Sequence, residues 1–145
     1  MKKHMMLFAV MAAAFISAGC GQRSSTDAER WHTQAQVDMG RPLFAAHCAP
    51  CHGDDGQGAE NWREPLLDGK YPPPPLNGTG HTFHHAIRSI ILTINEGGVP
   101  WDGVMPGFED KLSEEEIDAI IAFFQSKWSP EIYRSWIKMG GYDRK

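Results

Sequence analysis

Cysteine is scarce in this chain, with three in 145 residues. Three cannot supply the two Cys-x-x-Cys pairs of a common structural zinc site. A long hydrophobic run is also missing. The longest, Met5 to Ile16, has twelve apolar residues, where a bilayer-spanning helix needs about 20. Basic residues are outnumbered, 14 Lys and Arg against 18 Asp and Glu. Binding to phosphates needs clustered cations, so the composition argues against a nucleic-acid partner. Strand patterning is absent as well. Without it, an α/β setting for a thioredoxin-like cysteine pair is missing.

What is present begins with an address. Lys2 and Lys3 precede the apolar run, and a run of this length behind a basic start fits a secretory signal over residues 1–19. It ends in Ile16-Ser17-Ala18-Gly19-Cys20. That tail resembles a bacterial lipobox, with Ser17 where Leu is usual, and the resemblance implies lipidation of Cys20. The other reading is cleavage after Ala18, leaving Cys20 a free thiol. If Cys48 and Cys51 act together, Cys20 is left over, and an odd thiol in an oxidising compartment needs a use. Loss of the leader leaves 12 basic and 18 acidic side chains, a net charge of about −6. Residues 20–34 are expected to be a lipidated N-terminus and polar tether, and residues 35–145 a single domain.

The body alternates helical patterns with Gly/Pro-rich stretches. Ser113 and Glu116 spell a capping box, with Leu112 and Ile117 as its hydrophobic staple. Ile117, Ile120, Ile121, Phe124 and Trp128 then form one apolar stripe. Ser129-Pro130 starts a short further helix that turns Ile132, Tyr133, Trp136 and Ile137 inward and ends at Gly140-Gly141. Phe83, Ile87, Ile90, Ile91 and Ile94 describe a middle helix, closed by Gly97-Gly98. A first helix runs through Val37, Leu43 and Phe44 to the cysteines, either beginning near Arg41 or kinked at Pro42. Between Gly53 and Gly80 lies a long irregular stretch with four consecutive prolines, which needs something large to order it.

Cys48-Ala49-Pro50-Cys51-His52 is a Cys-x-x-Cys-His signature for covalent attachment of c-type haem. Two thiols one helical turn apart each add to a haem vinyl group, and the histidine is held beneath the iron. A simple disulfide would leave His52 and the long loop without a role. For the second axial ligand, three methionines outlast the leader: Met39, Met105 and Met139. Met105, in a loop between helices and followed by Pro106-Gly107, is best placed to reach the open face. His81, His84 and His85 are rival imidazoles at the start of the middle helix, with surface exposure or haem-propionate contact the simpler fate. Trp62, Tyr71 and Trp101 lie in loops that would line the crevice.

From Val37 to Trp128 the chain resembles the class I c-type cytochromes. Gly40, Phe44, Cys48, Cys51 and His52 reproduce the spacing of that family's first helix and attachment motif. "GVMPGF" at 103–108 resembles its sixth-ligand loop, and "LSEEEIDAIIAFF" its last helix. The resemblance implies an all-α fold of about four to five helices around one covalent haem c, with His52 and Met105 as iron ligands. It implies that Gly40 lets the first helix cross closely over Phe123 or Phe124. It also implies that Pro74-Pro75-Leu76 acts as the family's Pro-x-Leu, Pro74 taking the His52 ring N–H through its carbonyl and Leu76 lining the haem.

The expected function is carriage of single electrons between respiratory or periplasmic redox proteins on the periplasmic face of a bacterial membrane, without a small-molecule substrate. The alternative is a haem enzyme or small-ligand sensor with an open or displaceable sixth position.

Overall fold

The structure, a computed structural model, describes residues 30–101 and 103–145. The expected leader, Cys20 and residues 21–29 lie outside the described residues, as does the side chain of Trp101. Five α-helices and two short 3₁₀ turns make up the regular structure, with no strand among the described residues: α1 (Gln34–His47), α2 (Ala49–His52), α3 (Ile87–Glu96), α4 (Glu114–Ser126) and α5 (Pro130–Lys138). The fold is therefore all-α, as its patterning predicts.

Helix α1 starts earlier than Arg41. Thr33 caps it: its hydroxyl accepts from the Gln36 N–H at 3.3 Å, and the Gln36 side chain accepts from the Thr33 N–H at 2.9 Å. These reciprocal bonds satisfy two otherwise orphaned donors. Pro42 consequently sits in the helix interior. It is exposed, so the donor it removes belongs to the solvent side, where the freed carbonyl is open to water.

Helix α4 is built as the Ser113/Glu116 capping box requires, with the Ser113 N–H donating to Glu116 Oε2 at 2.9 Å. Leu112 and Ile117 are both buried. The helix ends at Ser126, and Trp128 lies beyond it, still buried. Helix α5 begins as expected, Ser129 Oγ accepting from the Ile132 N–H at 3.3 Å. Tyr133 and Trp136 turn inward, whereas Ile137 faces outward, 43% exposed. The middle helix is shorter than its spacing predicts. Phe83 belongs to a separate 3₁₀ turn, Thr82–His84, because His85 and Ala86 are extended and break the helical path before Ile87.

The first and fourth helices cross at Gly40. A side-chain carbon at Gly40 would fall 2.4 Å from the Ala119 carbonyl carbon and 3.0 Å from the Ile120 nitrogen. The close approach is thus over Ala119 and Ile120, one turn earlier than Phe123 or Phe124. It is Phe44 that meets Phe123, ring centres 5.1 Å apart. Ile87, Ile90, Ile94 and Phe108 complete the core above this crossing.

The folded body also reaches back into the segment expected to be tether. The Arg30 guanidinium donates to the Gln125 and Trp128 carbonyls at 2.6 and 2.8 Å, tying this segment to the last turn of α4 and the residues just beyond it. Trp31 Nε1 donates to Gln125 Oε1 at 2.6 Å, and the Trp31 ring stacks on Tyr142.

Candidate functional site

One turn of helix carries Cys48, Cys51 and His52. His52 N–H donates to the Cys48 carbonyl at 2.9 Å, and Gly53, at φ +78°, ends the turn. The N–H-free ring of Pro50 stands in the first turn of α2, where no helical bond is lost. Cys48 is partly buried and packs against the core; Cys51 is exposed; the two thiols are not joined. Burial, reinforced by the Cys51 charge, pushes the Cys48 thiol up to about 11. A redox-active or metal-binding cysteine pair needs the opposite shift, toward thiolate.

His52 is buried, 7% exposed, and its Nδ1 lies 2.8 Å from the Pro74 carbonyl oxygen. A carbonyl only accepts, so Nδ1 carries the proton and Nε2 keeps its lone pair. Burial lowers the His52 pKa, with the Pro74 bond opposing it, and the ring is held neutral. A neutral imidazole with one nitrogen tied down and the other a free donor is what iron ligation requires. Two unpaired thiols, Cys51 next to it in the chain and Cys48 one turn before, complete a set that fits covalent haem.

The segment bearing Pro74 is fixed from three sides. Leu76 N–H donates to the Gly56 carbonyl at 2.7 Å, and the Ala59 N–H to the Pro73 carbonyl at 2.9 Å. Trp128 Nε1 donates to the Leu76 carbonyl at 2.8 Å. The Leu76 side chain itself packs on the core. Sequence reasoning missed the tryptophan's part, and it missed Gly58. At φ +68°, Gly58 passes so near the prolines that an added side-chain carbon would lie 2.5 Å from the Pro75 nitrogen and 2.6 Å from the Pro74 carbonyl carbon. Two glycines two residues apart, just after the attachment motif, were the available signal. Gly58→Ala should cost about 1–2 kcal/mol from its left-handed backbone alone and push the Pro74 carbonyl away from His52. The His52 Nδ1–H resonance should then move upfield as its hydrogen bond weakens. An unmoved resonance would show that Gly58 does not set the distance.

Met105 lies in the loop between α3 and α4. Its carbonyl accepts from the Gly98 N–H at 2.9 Å, and Phe108 N–H donates to the Ile94 carbonyl at 3.0 Å, pinning the loop to the end of α3. Gly97, at φ +82°, leaves room for this return, since a side-chain carbon there would fall 2.5 Å from the Met105 carbonyl oxygen. The Met105 side chain packs against the core, partly buried. Met39 is on α1, and Met139 is 55% exposed at the end of α5.

The remaining expected residues lie on other segments. His81, His84 and His85 are exposed around the 3₁₀ turn that precedes α3. Trp62 stacks on His81, and Tyr71 is half exposed.

The sequence profile of the family described as "Cytochrome C oxidase, cbb3-type, subunit III" matches residues 35–124. The chain is 29% identical over 96 residues to the Cbb3-type cytochrome c oxidase subunit CcoP of Rhodobacter capsulatus, covering 64% of this chain and 30% of that protein. It is 30% identical over 91 residues to cytochrome c6 of Bryopsis maxima, covering 60% of this chain and 86% of that one. A 26% identity over 100 residues links it to the cytochrome c subunit of a quinone alcohol dehydrogenase from Gluconobacter oxydans, 64% of this chain and 19% of the relative. The chain thus spans about a third of the oxidase subunits it matches. No solved structure matches it.

Proposed function

Because this chain belongs to the cytochrome c oxidase, cbb3-type, subunit III family, and is a class I monohaem c-type cytochrome with covalent haem c, we propose that it relays single electrons between redox proteins through a His52/Met105 centre. The observation that carries the reading is the His52 ring, buried and tied through Nδ1 to Pro74, beside two free thiols.

When bound, haem c supplies an iron that takes up and releases one electron. Cys48, which caps α2, and Cys51 within it would fasten the group covalently, so that it is not lost between encounters. His52 would offer Nε2 to the iron, and the Pro74 carbonyl holds its tautomer and ring orientation through the Nδ1 proton. Met105, carried on a separate loop, would offer the iron a soft thioether. A Met/His pair favours the reduced state. With His52 and Met105 both engaged, the iron would have no position left for a small substrate, as a carrier requires.

The relatives named as oxidase and dehydrogenase subunits support a redox enzyme complex as partner. The leader at 1–19 and Cys20 support export and a lipid anchor on the periplasmic face; among the described residues no helix is long and apolar enough to cross a membrane. Cys20→Ser should therefore move the protein from membrane to soluble fraction with its visible spectrum intact, since stable anchoring needs more than one acyl chain and all would be lost together. A wild-type protein already soluble and beginning at Gly19 rules out the anchor.

The relay itself is tested on haem-loaded protein. Denatured protein should keep haem stain on a gel, and the reduced native form should exchange electrons with a second redox protein while ignoring carbon monoxide. Ready carbon monoxide binding, or turnover of a small substrate unaided, would instead establish the enzyme or sensor reading.

A further inference from the structure

The histidines of "HTFHH" are left without a part in this relay, and their geometry is not that of three independent surface groups. His81 caps the 3₁₀ turn Thr82–His84, and the His84 N–H donates to its carbonyl at 2.9 Å. The Trp62 indole stacks on the His81 ring, centres 5.2 Å apart and planes at 19°. The His85 ring stands 5.4 Å from that of His81, at 71°. His85 is anchored by its backbone, its carbonyl accepting from buried Trp136 Nε1 at 2.9 Å. Thr82 ties the same turn to the Pro75 carbonyl at 3.1 Å. His84 is differently placed, its ring lying 4.3 Å from that of Phe83.

We propose that His81 and His85 form a two-imidazole site for a divalent first-row cation of the Zn²⁺ and Cu²⁺ class, with water in the remaining positions. Two imidazoles on one tetrahedral ion, with metal–nitrogen bonds of about 2.0–2.1 Å, place their ring centres about 5 Å apart. The observed 5.4 Å lies close to that separation, so the two rings are spaced to share one ion. Both rings are exposed and open to an entering ion. The Arg63 charge near His81 opposes any cation, which selects ions of high imidazole affinity over Mg²⁺ or Ca²⁺. Among the described residues, no group of three or more His, Cys, Asp or Glu is arranged to hold a metal. The ion is accordingly loosely held and exchangeable.

The test is calorimetric titration of the oxidised, haem-loaded protein with Zn²⁺ alone at pH 7.5. One ion should bind, and His81→Ala and His85→Ala should each weaken binding at least tenfold, with unchanged visible spectra. His84→Ala should leave the affinity within twofold. Cu²⁺ added to oxidised wild type should give an electron paramagnetic resonance signal split by two equivalent nitrogens, lost in either alanine variant. The proposal is overturned if the His81→Ala/His85→Ala double variant binds Zn²⁺ like wild type. It is equally overturned if His84→Ala costs as much as either single change, since binding would then be general to the histidine-rich surface.

Discussion

In Met105→Ala the haem should remain attached through Cys48 and Cys51 while the iron becomes open to carbon monoxide. The loop should survive the change. Its course is set by backbone bonds, Gly98 N–H to the Met105 carbonyl and Phe108 N–H to the Ile94 carbonyl, and none of them uses the methionine side chain. What is removed is a thioether partly buried against the core. If it binds iron, the oxidised wild type has a near-infrared sulfur-to-iron charge-transfer band, and the variant lacks it. The reduction potential should fall by on the order of 100 mV, because a soft sulfur ligand favours the ferrous state and axial ligands are a main control on potential. Redox titration and the spectrum of the reduced protein under carbon monoxide measure both effects. Equal carbon monoxide binding by wild type and variant would mean that Met105 is not a ligand and that relay is the wrong function.

Gly40→Ala should be the most damaging single methyl group in the domain. The new carbon would be placed almost on the Ala119 carbonyl oxygen, and that obstacle is backbone, which cannot rotate away. Helices α1 and α4 would have to separate, loosening the Phe44–Phe123 contact and the core around Ile120. Overpacking ordinarily costs about 1–3 kcal/mol; moving two backbones apart places this variant at the upper end or beyond, about 3–5 kcal/mol. Denaturant unfolding of the haem-loaded variant, compared with wild type at equal slope, gives the number. A loss below about 1 kcal/mol would show that the two helices are not held at this distance.

Much of this architecture was legible because its signals are local. Ser113 with Glu116, and Ser129 with Pro130, each declare a helix start within four residues, and both helices begin there. The failures are non-local or depend on one torsion. The crossing partner of Gly40 was misjudged by one turn, because a glycine offers no side chain whose pattern fixes the register. Phe83 has the right spacing for α3 but is cut off by extended backbone at His85 and Ala86, which no residue type there announces. Pro42 left two starts open, near Arg41 or earlier, and the cap at Thr33, nine residues upstream of the proline, selects the earlier one. At the candidate site, the motif residues were plain from spacing, and Pro74 from resemblance. The Trp128 and Gly58 supports were not, since each joins segments far apart in the chain.

The crossing at Gly40 also orders events in time. Helix α1 is among the first elements of the body to be synthesised, and the surface it packs on, α4, is among the last. Arg30 and Trp31 likewise wait for Gln125, Trp128 and Tyr142. Domains usually close from the N-terminus as they are made, but here the first helix has no partner to close upon until most of the chain exists. Such long-range closure is entropically late. A chain that stays open this long remains threadable through a pore, and the Cys48 thiol, partly buried in the finished fold, stays accessible until α1 closes on α4.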